Sequence, residues 1–185
     1  MNNFPRKVLA VDLEAGWEPE IGHLVWMLDA ARRRTLEELE GISAANELAI
    51  LDWRAEPRAN SVGSSLYHLA EIEASWLYDE VLEQPVPGEL AALLAHATRD
   101  VDGVLTHVTG QMLSEHLHRL EICRRHLLAA YREMTLEDFR RLRHLELYSV
   151  TPEYVLFHLM LHEVEHCSQI VESRRAAERA LGLRG

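Results

Sequence analysis

Three histidines stand four residues apart near the end of the chain: His158, His162 and His166. Residues four apart lie on one face of an α-helix, one turn above the other, so two neighbouring imidazoles can bind the same metal ion. Over eight residues this stripe drifts around the helix, and only two neighbours are expected to point at one ion. We favour His162 and His166 as ligands and interpret His158 as a neighbour of the site. A third ligand is then expected from a facing helix.

The same segment also contains the pattern His-Glu-x-x-His, which in zinc proteases places two ligands and a general base, here Glu163, on one helix. A protease of that type usually has its third ligand downstream. The only candidates there are Glu172 and Glu178, which lie on the same predicted helix and cannot reach back to the ion. No strand is predicted that would hold an extended peptide, so the protease interpretation is disfavoured.

A di-iron carboxylate site in a helical bundle needs Glu-x-x-His on two helices and a further Glu on each of two others. The motif occurs three times, at Glu20–His23, Glu115–His118 and Glu163–His166. The second long helix has Ser65 where a Glu is needed, so the pattern is loose. We interpret the histidines outside the proposed site as structural: His23, His96, His107, His116, His118, His126 and His144.

The composition describes an ordinary globular chain. It has 185 residues, 48% of them apolar, and a net charge of −11 with histidine neutral. Such a charge repels a phosphate backbone, and no long basic run offsets it, so nucleic-acid binding is not expected. With no apolar stretch of signal-peptide or membrane-spanning length, we expect a single cytoplasmic domain over 1–185. The two cysteines, Cys123 and Cys167, are expected to be free thiols.

Leu, Ala, Glu and Arg dominate the chain, whereas glycine and proline cluster between long periodic segments, which predicts an all-α fold. Four long helices with long connections predict a four-helix bundle. The predicted helices run from about Glu18 to Glu40, from Asn60 or Ser61 to Glu83, from Ser114 to Glu133, and from Thr151 to Ala180. Short helices are expected between Glu89 and Gly110.

Two segments resemble signatures of the DinB/YfiT-like family. The stretch from Thr151 to Ile170 resembles the last-helix signature, with its His-x-x-x-His pair and a following Gln169-Ile170. The stretch Asn60-Ser-Val-Gly-Ser-Ser-Leu-Tyr-His68 resembles the second-helix signature, in which a single His precedes an apolar and acidic run. The chain departs from the family at Cys167-Ser168, where Arg-Gly is usual.

The resemblance implies a four-helix bundle, often dimeric, that holds one divalent metal ion, zinc or nickel, through His68, His162 and His166. Three imidazoles leave a coordination position open, which is the pattern of catalytic zinc. A bound ion lowers the pKa of water or of a thiol. The resemblance therefore implies a hydrolase or a low-molecular-weight-thiol S-transferase with a small-molecule substrate. The competing hypothesis is a non-catalytic metal- or ligand-binding bundle that acts as a sensor or scaffold.

The nearest acids in sequence to these histidines are Glu163, Glu165 and Glu71. Glu163 and Glu71 are the weak candidates for a catalytic base, although an exposed charge or a salt bridge is the commoner role for such residues. Three aromatic residues, Tyr67, Trp76 and Tyr154, could line a pocket or belong to the core.

Overall fold

Residue 8 and residues 10–183 are described by a computed structural model of the chain. Four long helices form the body of the protein, as predicted, and the all-α fold is confirmed. The long helices are α1 (Pro19–Glu37), α3 (Val62–Ser75), α5 (Leu113–Arg132) and α7 (Pro152–Ala180). The single-domain prediction for 1–185 extends beyond the described residues and stays a prediction.

Local sequence signals fix where two of these helices begin. The Ser61 hydroxyl accepts a hydrogen bond from the backbone N–H of Ser64 at the start of α3. Thr151 caps α7 in the same way through the backbone N–H of Tyr154, and Pro152 follows at the position where its missing N–H costs nothing. The caps predicted from sequence for both site-bearing helices are therefore present.

A π-helical segment, Trp76–Val81, continues α3 without a break. Its wider turns appear in the hydrogen bond from the Leu82 N–H to the Leu77 carbonyl, five residues back. The sequence predicted one regular helix to about Glu83, whereas the structure has an α-helix followed by this wider one. A π-helical turn contains more residues than an α-helical turn, so the side chains around it point in different directions. Such turns are frequent at functional sites.

Short elements fill the long connections. They are α2 (Glu47–Asp52), α4 (Gly88–Leu93), α6 (Leu136–Arg140) and a two-stranded antiparallel hairpin, β1 (Arg143–His144) with β2 (Ser149–Val150). An isolated bridge also pairs Arg99 with Leu105. The hairpin has no strand signal in the sequence, because each strand is only two residues long.

Helix α7 packs against both α1 and α3, and α3 also packs against α5. One apolar cluster fills the space between them, with Ile21, Leu28, Leu66 and Leu156 fully buried. On α1 the buried stripe ends in polar residues that include Arg32 and Thr35, and the neighbouring Leu36 is exposed. Within the described ranges, no helix combines the length and apolarity needed to cross a membrane.

Candidate metal centre

The three predicted histidines come together between two helices. His68 lies in the middle of α3, and His162 and His166 lie one turn apart on α7. One ring nitrogen of each lies within 4.8 Å of the others, and the structure has no other such group of three metal-binding side chains within residues 10–183. The Nε2 atoms of His68 and His162 are 3.2 Å apart. The spacing of four on α7 and the facing position on α3 therefore build one cluster.

The donor set fits a divalent ion. Two nitrogens bound tetrahedrally to one zinc ion at about 2.05 Å would lie about 3.3 Å apart, close to the observed separation of the His68 and His162 Nε2 atoms. The Nδ1 atoms of His68 and His166 are buried and have no hydrogen-bond partner in the described part of the chain. In His68 this atom is the ring nitrogen opposite the Nε2 that faces His162, so the distance between the two Nε2 atoms is the observation that carries the fit.

Burial also prepares these imidazoles to act as ligands. The pKa of His68 is lowered to about 4 and that of His162 to about 3. Burial is the main cause of both shifts, and the neighbouring histidines contribute the rest of the lowering together with Arg99 at His68. Burial lowers the pKa of His166 as well, although nearby acids and a hydrogen bond with Gln169 oppose the shift. The rings of His68 and His162 are therefore neutral at pH 7, and neutral imidazole is the form that binds metal.

His158 lies beside the cluster and is not part of it. Its ring stacks on the indole of Trp76 with the centroids 4.0 Å apart, and it lies 5.9 Å from the ring of His162. Burial lowers its pKa. This position agrees with the interpretation of His158 as a neighbour of the site.

Glu163 belongs to a buried network of ion pairs and hydrogen bonds. Its carboxylate accepts two hydrogen bonds from Arg32, at 3.0 and 2.9 Å, and one from the Thr35 hydroxyl at 2.6 Å. Burial alone would raise its pKa, but the Arg32 charge and these hydrogen bonds together lower it. Because Glu163 is 1% exposed and accepts three hydrogen bonds from α1, it ties α7 to α1, and the geometry gives no support to it as a catalytic base.

The same network extends to a second buried pair. Glu73 on α3 accepts hydrogen bonds from Arg32 at 3.0 Å and from Arg124 on α5 at 2.8 Å through each of its oxygens. Arg124 also pairs with Asp29. Four helices are thus joined by buried charges one turn from the histidines. Sequence reasoning missed this network, although Arg32 four residues after buried Leu28 is a signal that an arginine lies on the inward face.

Glu71, the other weak base candidate, lies one turn after His68 in a separate cleft of about 250 Å³. Burial raises the pKa of its carboxyl, and a hydrogen bond with Thr98 opposes that rise. One of its oxygens, Oε2, is buried without a hydrogen-bond partner among the described residues. A catalytic role for Glu71 stays a prediction.

The three aromatic candidates separate into two roles. Tyr67 is 2% exposed, and its hydroxyl donates a hydrogen bond to the His96 carbonyl at 2.9 Å, so it belongs to the core. Trp76 and Tyr154 line a surface cleft at the start of α7. Arg99 was not singled out from sequence, yet its charge helps to lower the pKa of both His68 and His166.

Most of the remaining histidines have ordinary partners. His126 hydrogen-bonds with the Tyr78 hydroxyl at 2.7 Å, and His107 with the Asp52 carbonyl at 3.0 Å. His23 contacts the Pro19 carbonyl, and the ring of His144 contacts Ser149. These contacts support their interpretation as structural residues.

The comparisons with known proteins bear on these two helices directly. No curated protein matches the chain. A family model described as the DinB superfamily matches residues 27–170. This range includes all three histidines and the four long helices, except for the beginning of α1 and the last turns of α7. A match over more than half of the chain shows the family, and the protein therefore belongs to the DinB superfamily.

Proposed function

We propose that the protein is a metal-dependent enzyme, a hydrolase or a low-molecular-weight-thiol S-transferase, that acts through one divalent ion held by His68, His162 and His166. The observation that carries this proposal is the convergence of one nitrogen from each ring to within 4.8 Å. Membership of the DinB superfamily supports it. Zinc and nickel both favour imidazole ligands, and we propose one of them as the native ion.

His68, His162 and His166 would hold the ion through three neutral imidazoles, and the ion would supply Lewis-acid activation of a water or a thiol. The protein's part is to hold the three rings in place. His162 and His166 are fixed by α7, which the Arg32–Glu163 pair anchors to α1. His68 is fixed by burial within α3, where it is 4% exposed.

The two cysteines are poorly placed to supply the thiol. Cys123 is fully buried, and burial raises its pKa to about 12, so it is protonated at neutral pH. Cys167 is 4% exposed. A thiolate nucleophile would therefore come from a co-substrate, and we propose that the partner is a small molecule and that in the transferase it carries a thiol.

Turnover by metal-loaded protein tests this function. The zinc- and nickel-loaded forms are assayed for hydrolysis of 4-nitrophenyl acetate and for addition of a small thiol to 1-chloro-2,4-dinitrobenzene. His162→Ala should abolish either activity and keep the fold, whereas His118→Ala, which changes an exposed histidine on α5, should retain it. If the protein binds metal, resists unfolding when loaded, and turns over neither substrate class across a broader panel, the non-catalytic sensor or scaffold is the better interpretation.

We also propose that the protein is a homodimer. Three apolar side chains of α7 are exposed at spacings of four and three, namely Phe157 at 43%, Leu161 at 43% and Val164 at 46%. That spacing is the seam of two packed helices. Light scattering after size exclusion tests it, and Leu161→Glu should give a monomer that still binds metal. The cytoplasmic location expected from sequence stays a prediction.

A further inference from the structure

A cleft of about 470 Å³ opens between the end of α3, the start of α7 and the hairpin. Its walls carry the rings of Trp76, Tyr148 and Tyr154 and the side chain of Leu142. The volume is within the range of small-ligand sites, which are mostly apolar with a few polar groups. The polar groups here are the hydroxyl residues Ser149 and Thr151.

None of the residues that line this cleft is charged, although the protein carries a net charge of −11. Three of its apolar residues are exposed: Leu142 by 50%, Tyr148 by 46% and Tyr154 by 52%. Single exposed apolar residues are normal on a protein surface, but several around one concave cleft indicate a binding site.

The walls of the cleft are held in place. The Tyr148 hydroxyl donates a hydrogen bond of 2.5 Å to the Glu80 carboxylate, which joins the hairpin to the π-helical segment. That bond is the main reason why the pKa of Tyr148 is raised to about 12. Trp76 is the first residue of the π-helical segment. Rigid aromatic walls lose little entropy when a ligand binds.

One side chain connects this cleft with the metal centre. The His158 ring stacks on Trp76 at 4.0 Å and lies nearly parallel to Tyr154 at 6.3 Å. The same ring lies 5.9 Å from that of His162. A ligand seated against Trp76 or Tyr154 would therefore be separated from His162 by that aromatic side chain and by the ring of His158.

We infer that the cleft binds an uncharged aromatic or other planar apolar group and that, as a deepening of the metal-dependent function proposed above, this group is part of the substrate. Flat rings stack on indole and phenol faces, and the absence of a charged lining residue disfavours an ionic group. The substrate's reactive end would extend past His158 toward His162.

Binding of 2-naphthol to metal-free protein in EDTA tests the cleft independently of the metal. Calorimetric titration should give one site per chain, and Trp76→Ala and Tyr154→Ala should each weaken binding about tenfold. Trp26→Ala is the matched control, because it removes an indole from a different cleft and should leave the affinity unchanged. Circular dichroism checks that each variant is folded, and Tyr154, at 52% exposure, is the variant less prone to unfold the protein.

A second titration uses zinc-loaded protein with 2-naphthohydroxamic acid and acetohydroxamic acid. The naphthyl compound should bind at least tenfold more tightly, and Tyr154→Ala should remove that difference. Equal affinities of wild type, Trp76→Ala and Tyr154→Ala for 2-naphthol would overturn the proposal, as would binding that is seen only when the protein is diluted to monomer, since a second copy would then cover the cleft. If wild-type protein binds 2-naphthol but does not bind zinc, the metal function alone is refuted.

Discussion

Glu163→Gln is expected to destabilise the protein without removing its metal site. Glu163 is 1% exposed, and its two oxygens accept three hydrogen bonds, two from Arg32 and one from Thr35. Glutamine keeps the shape but loses the charge and turns an N–H₂ group toward the Arg32 donors. Removing one partner of a buried ion pair typically costs about 3–5 kcal/mol. Because Arg32 keeps its contact with Glu73, we expect about 3 kcal/mol, the low end of that range.

Urea unfolding followed by far-ultraviolet circular dichroism measures this loss. With a slope of about 2 kcal/mol per molar urea, the midpoint should fall by about 1.5 M. The matched control is Glu172→Gln, which makes the same change at an exposed position on the same helix and should shift stability by less than about 0.5 kcal/mol. Arg32→Gln combined with Glu163→Gln should cost less than the sum of the two single changes.

A midpoint for Glu163→Gln within about 0.2 M of wild type would refute the anchoring role. The reasoning also fails if this variant keeps its stability and its metal but loses turnover, because that result would identify Glu163 as the base that its geometry does not support.

Three further predictions concern the histidines and one glycine of α3. In EDTA, the free energy of unfolding should fall as the pH drops from about 6.5 toward 5. The reason is that the folded pKa values of His68 and His162, about 4 and about 3, lie below the unfolded value of 6.5. Each histidine should contribute a fall of up to about 1.4 kcal/mol per pH unit. His68→Ala combined with His162→Ala should flatten that slope, and an unchanged slope would contradict the depressed pKa values. His158→Ala should keep about one metal ion per chain by elemental analysis, since His158 is outside the cluster; loss of the ion would make it a ligand. Gly63→Ala should lower the urea midpoint by the equivalent of about 1 kcal/mol, because overpacking destabilises the protein by more than the higher helix propensity of alanine stabilises it. The new Cβ would lie 3.2 Å from both His116 Nε2 and the Leu51 carbonyl oxygen. An unchanged or higher midpoint would mean that these neighbours move aside.

The four long helices were predictable because their signals are local. Apolar residues recur at helical spacing along each helix. Ser61 and Thr151 cap backbone N–H groups only three residues away, and Pro152 follows Thr151 at the first helical position. The His162 and His166 pair was predictable for the same reason, since a spacing of four places both rings on one face.

The partner residues of the site were much less predictable. His68 is 94 residues from His162, and no local spacing connects them, so its role came only from the resemblance to a family. Arg32 and Glu163 are 131 residues apart, and their pairing depends on how α1 packs against α7. The π-helical turns that begin at Trp76 depend on packing in the same way.

The metal content of purified protein tests the central claim most directly. Protein dialysed against zinc and then against buffer is analysed by plasma mass spectrometry, beside His68→Ala, His162→Ala and the exposed control His118→Ala. The account predicts about one zinc ion per chain in wild type and in the control, and none in the other two variants, all with unchanged helical content. No bound zinc in wild type, or full retention by His68→Ala or His162→Ala, would contradict the three-histidine site.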